Sequence, residues 1–519
     1  MRRSSGQLTA GATRRCLVAA LAFSLSYSSA PAFADDSAST DQQRMVAIES
    51  KLDELNAALV QTEKMLENSR AEIQSLHSQL DALRAQDTAN SLNHAAADLQ
   101  NPDPSQTHPG NLESIREQQD AMQAEIKQHE QTKVETASKY PLRVSGLILF
   151  NAFSNAGVVD DAELPTIALP RFPGASHGSS GATLHQTLLN LDATGPRLAG
   201  ARSFAEISLD FFGGVSANSY GYSSSGGLVR MRQTWASLDW YRTTAQAGYT
   251  IPLISPLSPT SYATVAQPGL SGSGNLWTWS PQFQVEHRFP LTEGRRIGLE
   301  GGFIDPPTSD YTSTQLDNPV EASRHPGYEG RLSYRSDGSW KGIDRPFVLG
   351  IGGYSAHQSY TNTPQIHAWA ATADWQIPLY KWFGLTGEAY RGRALGGLGG
   401  GAYRDAFTGT DSTTGLTRTT GIATAGGWSQ LNFTLSSTFQ ANAAFGLDDA
   451  FTSNFDGFNL PTDSDSVLYT RNQSVVANVI YRPKTYLIFS PEYRHIQTWP
   501  YSGSASIANI FTLTAGYEF

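Results

Sequence analysis

The chain has 519 residues, a formal net charge of −10 and one cysteine, Cys16. That length argues against a single ordinary domain, and one thiol excludes a disulfide framework or a thiolate metal cage. Residues 35–139 carry 19 acidic and 9 basic side chains, against 28 and 24 in residues 140–519, a distribution with no basic patch for nucleic acid.

The first element is a targeting segment. Arg2, Arg3, Arg14 and Arg15 precede the apolar run "CLVAALAFSL" and the small-residue site Ala32-Phe33-Ala34. This order predicts a signal peptide over residues 1–34 and a mature chain starting at Asp35, which removes Cys16. The run is too short for a membrane anchor. "TRRCLV" also admits a twin-arginine reading, although nothing downstream suggests a cofactor inserted before export.

A heptad pattern follows within residues 35–86. Its seam positions are Met45, Leu52, Leu59, Leu66, Ile73 and Leu80, alternating with Ile48, Leu55, Thr62, Ser69, Leu76 and Leu83. Ten of these twelve are apolar, so the stretch is expected to form an α-helical coiled coil, started by a capping box at Thr40 and Gln43. A lone amphipathic helix on a globular core is the alternative, and the narrow stripe favours self-association. Leu on both seam positions leaves the number of strands open. Residues 87–139 read as a linker broken by Pro102, Pro104 and Pro109, with a short second helix reaching about residue 137.

From Tyr140 the apolar period becomes two. "EISLDFF" sets Ile207, Leu209 and Phe211 against Glu206, Ser208 and Asp210. "LWTWSPQFQVEHRF" sets Trp277, Trp279, Phe283, Val285 and Phe289 against polar neighbours, and "SQLNFTLSSTF" does the same with Leu431, Phe433, Leu435 and Phe439. These are strands with one apolar and one polar face. About sixteen fit between residues 142 and 519. Long connections near 155–182, 212–227, 251–275, 305–325, 392–426 and 450–466 alternate with short ones, and aromatics (Trp240, Tyr241, Phe289, Trp375, Tyr380, Trp382, Tyr481, Tyr486) flank the short turns. Residues 140–519 are therefore expected to be an all-β, up-and-down antiparallel barrel spanning an outer membrane, with residues 35–139 in the periplasm. Closure in lipid requires the last strand to pair with "LRVSGLILFNAFS". The terminal pattern Phe511, Leu513, Tyr517, Phe519 resembles the signal by which barrel-assembly machinery recognises its substrates.

"EISLDFFGG", "LVRMRQTWASLDW" and "QPGLSGSGNLWTWSPQFQ", together with the coiled coil, resemble the DcaP-like trimeric porins of Gram-negative envelopes. The resemblance implies a sixteen-stranded homotrimer with a periplasmic extension, embedded in outer-membrane lipids and passing small hydrophilic, often anionic, solutes. "GRALGGLGGGAYRDAFTGT" does not align with that pattern.

The barrel region holds 21 Arg and 3 Lys. By strand parity, Arg230, Arg232, Arg288, Glu329, Arg331, Arg335 and Arg494 are candidate pore-lining residues for selectivity, with Arg230 and Arg232 on one face. The competing reading pairs these bases with Asp192, Glu206, Asp210, Glu286, Glu329, Asp374, Glu388 and Glu492 across the wall. The third long loop, 251–275, carries four prolines and no charge. Folded inward it is a steric filter, and otherwise an exposed loop. His185, His287, His357, His367 and His495 are singly scattered, without G-x-S-x-G or H-E-x-x-H, so no enzyme, cofactor or metal is expected. The rival to a pore is a structural anchor whose stalk reaches peptidoglycan.

Overall fold

The carboxy-terminal strand closes the sheet on the first one. In the computed structural model Phe511 lies opposite Ser154 and Leu513 opposite Ala152, and the Phe519 and Gly146 backbones exchange two hydrogen bonds of 2.9 and 3.0 Å. No edge is left between the first and last strands to meet lipid unpaired. The structure describes residues 133–134, 141–214, 227–292, 294–307, 318–337, 343, 345–360, 364–460 and 468–519.

The chain divides into residues 1–112 and 113–519. The signal segment and the whole coiled-coil seam fall in the first unit, outside the described residues. In the second, Lys133–Val134 is a strand paired with Leu142 and Arg143. The second helix expected to reach about residue 137 therefore does not include these two residues.

Sixteen antiparallel strands make the barrel. In order they are β1 (Leu142–Ala156), β2 (Gly178–Thr183 continuing as Leu188–Thr194), β3 (Arg202–Asp210), β4 (Arg230–Asp239), β5 (Thr243–Thr250), β6 (Ser280–Thr292), β7 (Arg295–Ile304) and β8 (Gly327–Ser336). Then come β9 (Phe347–Gln358), β10 (Ile366–Tyr380), β11 (Phe383–Arg393), β12 (Ala423–Thr434), β13 (Phe439–Ala450), β14 (Tyr469–Lys484), β15 (Leu487–Pro500) and β16 (Ser506–Glu518). Each pairs with its neighbours in sequence, which is the up-and-down order expected.

Alternation decides which face looks out. Ile148, Phe150, Met231, Phe283, Leu332, Ile351, Phe445, Phe511 and Leu513 are exposed, while Asn151, Asp210, Gln282, Arg331, Asp374, Asn478 and Glu492 are buried. An apolar exterior around a polar interior is the inverse of a soluble sandwich and suits lipid outside. Tyr241, Phe289, Tyr380, Trp382, Tyr481 and Tyr486 are all exposed at the short-turn end, as ring side chains at an interface should be. One of those turns closes β6 onto β7 within two residues, with Gly294 at φ +71°, a left-handed conformation that glycine takes without strain.

Two pattern readings are corrected. Trp277 and Trp279 do not belong to the outer face, because β6 starts at Ser280; both lie in the preceding loop, and Trp279 is buried inside the barrel. "SQLNFTLSSTF" is not one strand: β12 ends at Thr434, residues 435–438 turn, and Phe439 opens β13. An apolar Leu435 in the turn mimics a continued alternation.

Candidate functional site: the lumen and its inward loops

The loop between β5 and β6, residues 251–279, runs inside the cylinder. Its backbone groups leave water there and need partners on the wall. Glu329 of β8 accepts from Leu253 N at 2.8 Å, and Glu388 of β11 accepts from Leu257 N at 2.7 Å and from Ser255 Oγ. Gln430 of β12 accepts from Thr260 N at 2.9 Å, Asn478 of β14 donates to Thr260 O at 2.8 Å, and Ser261 Oγ donates to Glu492 of β15 at 2.6 Å. Gln186, in the break within β2, accepts from Val265 N at 2.7 Å and donates to Ala263 O at 2.9 Å. Arg230 of β4 donates to Ala266 O at 2.5 Å. One pass of the loop thus touches the wall from β8 round to β4. It then returns towards β14, where Asn472 donates to Gly272 O at 2.9 Å and Leu270 packs on Trp428, Ala444 and Val476.

The first part of a second loop, residues 394–405, also enters, before an exposed hairpin of Ala406–Asp411 and Thr417–Gly421. The loop's glycine run belongs to the stretch that departs from the porin pattern. Asp448 of β13 anchors it, accepting from Gly401 N at 3.1 Å, Ala402 N at 2.6 Å, Tyr390 Oη at 2.6 Å and Thr424 Oγ1 at 2.9 Å. Leu395 and Leu398 then join Ile254, Leu276, Ile304, Tyr354 and Tyr390 in a buried apolar cluster inside the barrel. The wall contributes Ala356, Ile366, Ala368 and Ala370, so the long-loop ends of β9 and β10 are apolar on their inner face too. That departure from strict alternation, beside a run of glycines, is the signal that could have found the insertion. Glycine is required at 397, where a Cβ would stand 2.0 Å from Pro307 O. The first long loop adds a third support: Asn472 donates to Thr166 O and Arg494 to Pro165 O, both at 2.9 Å, and Ala168 packs on Ile496, Ala508 and Ile510.

The candidate charged residues face this interior mostly as pairs. Arg230 donates twice to Asp210, at 3.0 and 2.6 Å. Arg288 donates to Glu286 and Asp239 at 2.8 Å, and Asp239 also accepts from Arg202 at 2.7 Å. Arg331 holds Asp374 at 2.8 and 2.7 Å and Glu300 at 2.6 Å. Arg494 meets Glu492 at 3.0 Å. Glu329 faces inward but serves the loop backbone. Arg335 meets Asp337 at 2.5 Å in the turn after β8. Burial acts to raise the Asp337 carboxyl, yet hydrogen bonds and charge from Arg335 and Arg296 hold it below the usual range.

Arg232 departs from its expected place. The β3–β4 register shifts between Ser208, opposite Gln233, and Leu209, opposite Met231, leaving Arg232 as the extra residue of a bulge. It does not share a regular face with Arg230. Both guanidiniums nevertheless stack on Trp279, at 5.5 Å for Arg230 and 4.9 Å for Arg232, and Arg232 Nε is buried without an acceptor. These pairs lie on β3–β10 and on β15. On β11–β14, where Glu388 and Asp448 are taken up by the inward loops, neutral groups follow one another: Asn432 donates to Thr386 at 2.9 Å, Gln440 to Asn442 at 2.9 Å and Asn442 to Asn478 at 2.8 Å.

The remaining candidates are placed as follows. Phe511, Leu513, Tyr517 and Phe519 are exposed on the outer face. The histidines are less scattered than expected: His357 and His367 are cross-strand partners with rings 5.4 Å apart, and His325 lies 6.0 Å from His357. His367 Nε2 and Ser355 Oγ are 2.9 Å apart. No cluster of metal-ligating residues occurs among the described residues.

No family model matches the chain, and no curated protein matches it. Solved structures do. The outer membrane channel DcaP of Acinetobacter baumannii aligns at TM-score 0.55 and 15% identity, over 74% of this chain and 99% of that one. An anion-selective porin from Comamonas acidovorans aligns at TM-score 0.45 and 10% identity, over 73% and 100%. OprB of Pseudomonas putida aligns at TM-score 0.45 and 10% identity, over 73% and 94%. At these identities the likeness to DcaP concerns the fold: a closed sixteen-stranded channel barrel.

Proposed function

We propose that the chain is a DcaP-like porin of the bacterial outer membrane, a passive diffusion channel for small hydrophilic solutes. The observation that carries this reading is the lumen itself: a polar wall of charge pairs and amides, narrowed by an uncharged loop held to it from β8 to β4. Size then limits passage, and fixed charge biases it. A preference for anions is supported by Arg232, which has no ion pair among the described residues, beside Arg230 on the same indole. The channel works as a homotrimer, with the coiled coil over residues 35–86 as a periplasmic stalk. Oligomerisation is supported by small outward residues on neighbouring strands, Ala193, Ala205, Ala236, Ala245 and Ala247, which line an outer-face depression bordered by Leu198 and Leu238. The pattern ending at Phe519 serves recognition by the insertion machinery.

Planar-bilayer recording under a salt gradient tests the reading. Stepwise conductance with an anion-selective reversal potential is expected, and Arg230→Glu with Arg232→Glu should move that potential towards cation selectivity. An electrically silent protein would leave a structural anchor. An unchanged potential in the double variant would remove the assigned role of these arginines.

A further inference from the structure

The outer face at the long-loop end is not uniform. Over β4–β8 it presents Met231, Phe283, Phe303 and Tyr328, all exposed. Over β11–β15 a cross-strand row reads Arg391, Ala425, Asp449, Arg471 and Trp499. The row points outward, because Tyr390, Asp448 and Asn472, next along the chain, are buried inside. Arg391 and Arg471 are both exposed. Neither side chain makes a hydrogen bond or ion pair among the described residues. Each guanidinium is instead held over an aromatic ring, Arg391 over Phe451 at 4.8 Å and Arg471 over Trp499 at 4.9 Å. A cavity of about 390 Å³ opens beside Arg471, lined by Asp449, Phe451, Thr452, Ser453, Arg471 and Trp499.

Arginine turned towards lipid is costly in hydrocarbon and favoured only where an anionic headgroup meets it. Aromatic rings place the row at the interface, not at the centre of the bilayer. A planar guanidinium with its donors unused matches a phosphate monoester, and the Thr452 and Ser453 hydroxyls add donors at the cavity wall. Arg391 and Arg471 stand three strands apart, about 14 Å along the row, each over its own ring. That spacing suits a headgroup with two separate phosphates, and Asp449 between them leaves one net positive charge, too little for an extended polyanion.

We propose that this rim over β11–β15 binds the two phosphates of a lipid headgroup in the outer leaflet, with Arg391 the ligand of one and Arg471 of the other. The assignment rests on the membrane reading of the barrel but not on conduction. The test titrates the full-length purified protein in mild detergent with bisphosphorylated lipid A, with the same lipid dephosphorylated, and with inorganic phosphate, read by native mass spectrometry. Arg391→Gln with Arg471→Gln should weaken lipid A binding about tenfold or more, while the Arg→Lys pair stays within about threefold. Dephosphorylated lipid should bind wild type as weakly as phosphorylated lipid binds the Gln variant. Equal binding by wild type and the Gln variant, or equal binding of the two lipids, overturns the proposal. Displacement of lipid by millimolar inorganic phosphate overturns the lipid assignment in favour of a soluble ligand. Single-channel conductance checks that the Gln variant is folded, since neither residue faces the lumen; a wild type without conductance would sink the porin reading and leave this binding test intact.

Discussion

Arg331 on β8 grips Asp374 on β10 through two hydrogen bonds of 2.8 and 2.7 Å, reaching across the intervening strand β9. The reach depends on Gly350, which faces Asp374 in the β9–β10 register. A Cβ there would stand 2.2 Å from Asp374 Oδ1 and 2.7 Å from Arg331 Nε. The glycine is the gap through which the pair passes.

Gly350→Val should therefore act at a distance from any loop. It separates two charges that are otherwise almost fully buried, and breaking such a pair costs about 3–5 kcal/mol. Urea unfolding of lipid-reconstituted protein should show a loss of that order, matched by Asp374→Ala. A variant as stable as wild type would mean that the pair contributes nothing.

Glu388 is a hook for the inward loop and not a selectivity charge. Glu388→Ala removes the acceptor of Leu257 N and Ser255 Oγ, each worth about 1–3 kcal/mol when left buried and unpaired. The loop should detach locally, giving larger and noisier single-channel steps with little change in reversal potential. A shifted potential at constant step size would instead make Glu388 a charge filter.

The glycine run of residues 396–401 packs inside the barrel and should narrow it a second time. Gly397→Val collides with Pro307 O and cannot seat, so conductance should rise, and deletion of residues 396–402 should raise it further. Intact conductance in the deletion would show that this loop packs beside the passage without narrowing it.

The chain's last side chain should matter for assembly more than for function. Phe519→Asp leaves the two backbone hydrogen bonds to Gly146 possible but removes the outward aromatic ring. The fraction of protein recovered in the outer membrane should fall several-fold, with unchanged conductance for the molecules that insert. Equal recovery would remove the terminal pattern from the insertion signal.

Strand number and most of the face parity were legible from the period of two, because a barrel wall in lipid tolerates few exceptions. What the loops do was not. A Pro- and Ser-rich stretch such as 251–275 reads the same exposed or inserted, since its own side chains are neutral and its hydrogen bonds go through the backbone. Glu329 and Glu388 therefore read as wall charges, although they receive loop amides and a loop hydroxyl, and Glu492 divides itself between the loop hydroxyl of Ser261 and the wall partners Asn478 and Arg494. The Arg232 bulge was hidden for a related reason: one inserted residue changes parity without changing composition. Trp277 and Trp279 continued the alternation of β6 into a loop that turns inside.

The loop-lined interior is the route of permeation in this account, and chemical modification during recording tests that directly. Ser258 is exposed on the inward loop, in a cavity with Gln376, Thr386 and Asn432 of the wall. Ser258→Cys should be unique as a thiol in the mature chain. Adding a charged methanethiosulfonate reagent to an open channel of this variant should lower its conductance in discrete steps, one per subunit. Full modification of the cysteine, verified by mass, with conductance unchanged would place the ions elsewhere and contradict the account.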